Sequence, residues 1–178
     1  MRYAEVALEA YMSDISENDL PALCAAVGFV TINWALMERQ MDNIIHFSFV
    51  TLGSIPGHDR KPSAFKDKAK YLVKVFNHNK ELALHKAKAS ALIERARAFS
   101  ITRHAFTHGA LESLEGTVLT INKLQTKSEY CVDLVKIDIM DFPAHAQEIG
   151  GLVTEWTLLS KMLFDEHQKR KQLLAQQA

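Results

Sequence analysis

Ser100-Ile101-Thr102-Arg103-His104-Ala105-Phe106-Thr107-His108-Gly109 is the stretch around which the chain is organised. A glycine-free, alanine-rich run from Glu81 to Thr107 leads into it, with apolar residues at Leu82, Leu92, Ile93, Ala96, Phe99 and Phe106. Their i, i+3, i+4, i+7 spacing is that of an amphipathic helix. Gly109 stands just past the last periodic residue, where glycine commonly stops a helix because φ > 0 costs it nothing. On a helical projection Arg97, Ile101, His104 and His108 share one stripe, whereas Arg103 continues the apolar stripe of Leu92, Ala96 and Phe99. A guanidinium on that side needs a partner or a polar cleft, since an unpaired buried charge is very costly.

Upstream, Leu20 to Leu52 carries a long helical pattern with Leu23, Val27, Val30, Trp34, Met37, Met41, Ile44 and Ile45 as its core stripe. Pro21 suits the first turn of such a helix. Glu38 falls on the stripe one turn after Trp34, so it either meets a cation, with Arg103 the complementary candidate, or reaches solvent at the stripe's edge. Tyr3 to Met12 reads as a short helix before it. Gly53 to Pro62 is a loop by its glycines and prolines. Phe65 to Asn77 follows as another helix, with Phe65, Ala69, Leu72, Val73 and Phe76 inward and lysines outward.

Downstream of Gly109 the periodicity changes. Gly116 to Leu124 and Ser128 to Ile139 are rich in Thr, Val, Ile and Tyr, and the second alternates Cys131, Val135, Ile137 and Ile139 against Tyr130, Val132 and Leu134. Gln125-Thr126-Lys127 between them reads as the turn of a β-hairpin. Asp141-Phe142-Pro143 opens a final helix to about Arg170, with Ile149, Leu152, Val153, Trp156, Leu159 and Leu163 apolar. The expected fold is mainly α: an up-and-down bundle of four to five helices with one β-hairpin, at about 116–139, inserted before the last helix. Residues 1–178 read as a single domain with a frayed tail at about 171–178.

At 178 residues the chain can bury a core without staples. Its 48% apolar and 24% charged residues are those of an ordinary globular protein. Cys24 and Cys131 lie far apart in no metal or redox spacing, which points to a reduced, cytoplasmic protein. Glu5 and Glu9 interrupt the only candidate signal region, and no apolar run approaches a membrane span, so no membrane partner is expected. Zero net charge conceals an asymmetry: residues 60–103 hold twelve Lys/Arg and three acids, and the rest of the chain balances them at −9. That basic middle suits an anionic partner such as RNA, or is a solvated surface facing the protein's own acidic parts.

No P-loop, dinucleotide-binding glycine motif, nucleophile elbow or HExxH motif is present. His104 and His108 could ligate a metal from one helix face, but no further ligands stand at a metal-site spacing, and no metal or cofactor is expected. Arg and His ending a helix suit phosphodiester cleavage instead. Imidazole can take the 2′-hydroxyl proton of RNA or protonate the leaving 5′-oxygen, and arginine can stabilise the charge gained at phosphorus. RNA supplies its own nucleophile, so no metal is needed. The same cations would also be favourable as simple caps beside a helix C-terminus.

Arg103-His104-Ala105-Phe106-Thr107-His108 resembles the Arg-x4-His motif of the HEPN superfamily, in which Asn, Asp or His typically follows the arginine. The order of elements is also similar to that of small bacterial HEPN-like proteins: a Trp…Glu helix (Trp34-Ala35-Leu36-Met37-Glu38), a lysine-rich helix, then the motif and its glycine. The resemblance covers about Val27 to Gly109; the hairpin departs from the simplest all-helical members. It implies a helical bundle that homodimerises to form one composite cleft, with metal-independent RNA cleavage of the toxin and defence type and a cognate antitoxin as partner. Arg103 would stabilise the phosphate, His108 would act as general acid/base and His104 would orient them, with Arg95 and Arg97 binding substrate and Glu38 supporting. The alternative is a non-catalytic HEPN-like module that binds a partner or a nucleotide, since some members of the superfamily lack activity.

Overall fold

The computed structural model describes residues 19–53, 55, 59–126 and 130–177. The expected helix over Tyr3–Met12 lies outside these residues. Four helices are described: α1 (Asp19–Phe47), α2 (Phe65–His78), α3 (Lys86–His108) and α4 (Phe142–Gln177). A π-helical turn, Ser48–Leu52, extends α1, and a 3₁₀ stretch, Lys80–His85, precedes α3. Between α3 and α4 lies an antiparallel sheet of β1 (Ala110–Glu115), β2 (Val118–Thr126) and β3 (Tyr130–Asp138), in that order. The chain is therefore mainly helical, with the small sheet inserted before the last helix as expected.

Three details depart from the sequence reading. Gln125 and Thr126, expected in the hairpin turn, are the last residues of β2 and pair with Cys131 and Tyr130. The hairpin is a three-stranded meander, because Ala110–Glu115 pairs with β2 through a register shift between Leu111 and Ser113. That bulge breaks the period-2 alternation by which a strand is recognised, and Leu and Glu are better helix formers than strand formers. The last helix also continues past Arg170 to Gln177, with its terminal residues helical and exposed.

The residues group into two compact units. One contains residues 33–99 and 149–178, and its described part is a helical core. Met37, Met41, Leu72, Leu152, Trp156 and Leu159 are completely buried there. Trp34 sits edge-on to Phe65 at 4.7 Å and stacks on Phe99 at 6.2 Å. Ser48 Oγ donates to the Ile45 carbonyl at 2.8 Å where the helix widens, so the Tyr71 hydroxyl, 3.0 Å away, donates to Ser48. This satisfies both buried hydroxyls.

The other unit contains residues 1–32 and 100–148, and its described part is the sheet with the end of α3, the start of α4 and the first half of α1. Its core joins Ala105 to Leu119, Ile121 and Ile137, with Leu23, Phe106, Leu114, Val135 and Ile139 packed against it. Leu119 opposes Ile137 and Ile121 opposes Val135, so the apolar face is built from cross-strand pairs. Gly116, at φ +62°, opens the two-residue turn between β1 and β2, and no non-glycine residue described has positive φ. Positive φ at the first turn position alone is the type II′ pattern, whose twist matches the strands.

Candidate functional site

Arg103, His104 and His108 occupy the last turns of α3 in the sheet-bearing unit. What fixes these turns is the packing of Ala105 into the sheet core and of Phe106 against Phe142, with ring centroids 5.3 Å apart. His104 and His108 flank those anchors at i, i+4, and their imidazole centroids lie 4.7 Å apart with a 50° tilt. His108 is exposed; Arg103 and His104 are half-buried, with Arg103 Nε enclosed. The Thr107 hydroxyl donates back to the Arg103 carbonyl one turn earlier, at 3.0 Å.

Gly109 ends the helix for a different reason from the one expected. Positive φ occurs at Gly53 and Gly116 and not at Gly109. Gly109 N–H still donates to the Ala105 carbonyl at 2.9 Å, and β1 starts at the next residue. A Cβ at Gly109 would stand 2.1 Å from Ile121 Cγ2 and 2.6 Å from the Ala105 oxygen. The glycine is required because a Cβ has no room between strand β2, which passes directly over the helix end, and the helix's own Ala105 carbonyl.

The remaining candidates belong to the helical unit. Arg95 donates to Glu155 at 2.6 Å and Arg97 to Glu94 at 2.5 Å. Both arginines expected to bind substrate are thus held in ion pairs within the chain. Glu38 is half-buried and faces a cation, Lys68, at 4.0 Å. Lys68 also donates to Asp42 at 2.9 Å. The reading of the second helix's lysines as outward fails at Lys68, which is 8% exposed. Its spacing, three after Phe65 and four before Leu72, puts it on the inward stripe, and that was the available signal.

A second pair, which residue spacing does not reveal, joins the buried His85 to the half-exposed Glu166, with His85 Nε2 3.0 Å from Glu166 Oε2. Among the described residues no third His, Cys, Asp or Glu joins His104 and His108 in a metal-binding group. No described helix is long and apolar enough to cross a membrane. No family model, curated protein or solved structure matches the chain.

Proposed function

We propose that this chain is a metal-independent endoribonuclease of the HEPN type, acting as a homodimer. The observation that carries the reading is the adjacency of the His104 and His108 imidazoles at 4.7 Å on the turns that also bear Arg103. Cleavage of RNA by its own 2′-hydroxyl needs one proton removed from that oxygen and one delivered to the leaving 5′-oxygen. The exposed imidazole of His108 is the group that exchanges a proton with substrate, and His104, half-buried beside it, orients it. Arg103 supplies positive charge to the non-bridging oxygens as the phosphorus becomes five-coordinate. A second copy of the motif across a two-fold axis would complete the cleft.

The test is cleavage of a mixed RNA pool in EDTA. Wild type should cut, and Arg103→Ala and His108→Ala should each lose at least about 100-fold in rate, the usual contribution of a positioned acid, base or oxyanion donor. Sedimentation at micromolar concentration should give a dimer. No cleavage by folded wild type, or a strict monomer, would sink the reading.

One observation favours a second reading, a non-catalytic module that binds a protein partner. Arg95 and Arg97 pair with Glu155 and Glu94 within the chain, so a phosphate would have to displace a carboxylate from each. Under that reading the Arg103 and His108 variants change binding of the partner rather than RNA cleavage.

A further inference from the structure

We infer that the helical unit carries a docking trough, between α1 with its π turn and α4, for an amphipathic helix with acidic flanks supplied by a partner protein. Two lobes of about 520 and 540 Å³ share Phe47, Val50, Thr51 and Phe164, and so form one continuous depression. On α4 the wall residues at 157, 160, 161, 164, 167, 168, 171 and 174 follow one helical stripe, with Leu163 and Arg170 at its edge. Leu163 is shared with the buried stripe of Leu152, Trp156 and Leu159, so the wall borders the core face. Along this mostly polar stripe Phe164 and Leu174 are the exposed apolar side chains.

The trough is unusual in its chemistry. Val50, Phe164 and Leu174 are 69%, 55% and 68% exposed, although each is large and apolar. Phe164 and His167 both pack against the ring of Phe47, at 5.8 and 5.4 Å, so the floor is a formed aromatic surface. The π turn puts Val50 and Thr51 on the trough wall, and such turns are found disproportionately at functional positions.

Length and charge decide the occupant. From residue 157 to residue 174 an α-helix rises about 26 Å, which matches an incoming helix of about 17 residues and exceeds the span of a single small ligand. The rim is cationic: Lys161 and Lys171 line it, and Lys61 Nζ meets His46 Nδ1 at 2.5 Å beside it. Among the described residues lining the two lobes Glu81 is the one carboxylate, and Arg170 already holds it at 3.0 Å. An apolar face with Asp or Glu on its borders complements both the floor and the rim.

The inference does not depend on the ribonuclease reading, because every residue it uses lies in the helical unit. It is tested on the full chain with a fluorescein-labelled 18-residue peptide carrying Leu at i, i+3, i+4, i+7 spacing and Glu at the flanking positions. Anisotropy titration should show saturable binding, at least tenfold weaker for the same peptide with Lys in place of Glu. Phe164→Asp should weaken the Glu peptide at least tenfold, and the double variant Lys161→Glu with Lys171→Glu should reverse the preference between the peptides. All three side chains are exposed, and circular dichroism checks that the variants fold. No saturation by the Glu peptide, equal affinity for both peptides, or indifference to Phe164→Asp would overturn the inference. Self-association abolished by Phe164→Asp would overturn it too, by giving the trough to a second copy.

Discussion

Replacing Gly109 by alanine tests how the candidate site is built. The added Cβ would meet Ile121 Cγ2 at 2.1 Å, where ordinary contact begins near 3.4 Å, so Ile121 or the helix end must move by more than an ångström. Ile121 is 4% exposed in the sheet core and has little room to yield. Overpacking of this kind costs about 1–3 kcal/mol, against which the stiffer unfolded chain of a Gly→Ala variant returns about 0.4–1 kcal/mol. The expected net loss is about 1–2 kcal/mol, or roughly 2–8 °C in Tm for a chain of this size. Thermal and urea unfolding followed by circular dichroism would measure it. A double-mutant cycle with Ile121→Ala, which removes the clashing methyl, should return a favourable coupling of at least about 1 kcal/mol. If the costs simply add, or if Gly109→Ala is as stable as wild type, close approach of β2 is not what the glycine serves. Loss of cleavage or binding in a folded Gly109→Ala protein would further tie the seating of the helix end to the behaviour of His104 and His108.

Lys68 invites the opposite pair of substitutions. Lys68→Met keeps most of the buried stem and leaves Asp42, which is half-exposed, to return to water, so it should cost only about 1 kcal/mol. Lys68→Glu would put a third carboxylate beside Glu38 and Asp42 in a position 8% exposed, and should cost about 3–5 kcal/mol in urea unfolding. A Lys68→Glu protein as stable as wild type would refute the buried pairing. Arg95 and Glu155 form a half-exposed pair, so Arg95→Ala should change stability by less than about 1 kcal/mol. If Arg95 leaves Glu155 to contact phosphate, the same variant lowers the slope of log affinity for RNA against log salt by about 1; an unchanged slope assigns Arg95 to the pair alone.

Much of this fold is legible in the residue order because helical amphipathicity is a local property. Spacing alone puts Leu23, Val27, Val30, Trp34, Met37, Met41, Ile44 and Ile45 on one core stripe; the last six are buried and Leu23 and Val27 are half-buried. On the last helix the apolar set is Ile149, Leu152, Val153, Trp156, Leu159 and Leu163, of which all but the half-buried Val153 are buried; alternation on the strand separates Ile137 from Leu134 without saying which side is inward, and Ile137 is the buried one. Projection separates Arg103 from the stripe of Arg97, Ile101, His104 and His108, but burial divides them only in part: Ile101 and His108 are exposed, whereas Arg97 and His104 are half-buried as Arg103 is. The i, i+4 spacing of His104 and His108 was enough to bring their rings together.

What spacing cannot encode is which face meets which. β1 escaped notice because its bulge cancels the alternation that would have revealed it, and only pairing with β2 makes it a strand. The cation that faces Glu38 is Lys68, and the partner of His85 is Glu166, 81 residues away, because ion pairs are chosen by tertiary proximity. Position alone marks Gly109 as a helix stop, but the tightest contact a Cβ would make there is with the Ile121 methyl of another element, with the Ala105 carbonyl close behind. The trough beside Phe47 and Phe164 is likewise lined jointly by α1, its π turn and α4. Sequence by itself thus determined the elements and their buried faces, since those follow from periods of 3.6 and 2 along the chain. Tertiary structure alone decided the partners, the close approach at Gly109 and the trough, since each depends on residues far apart in the chain coming into contact.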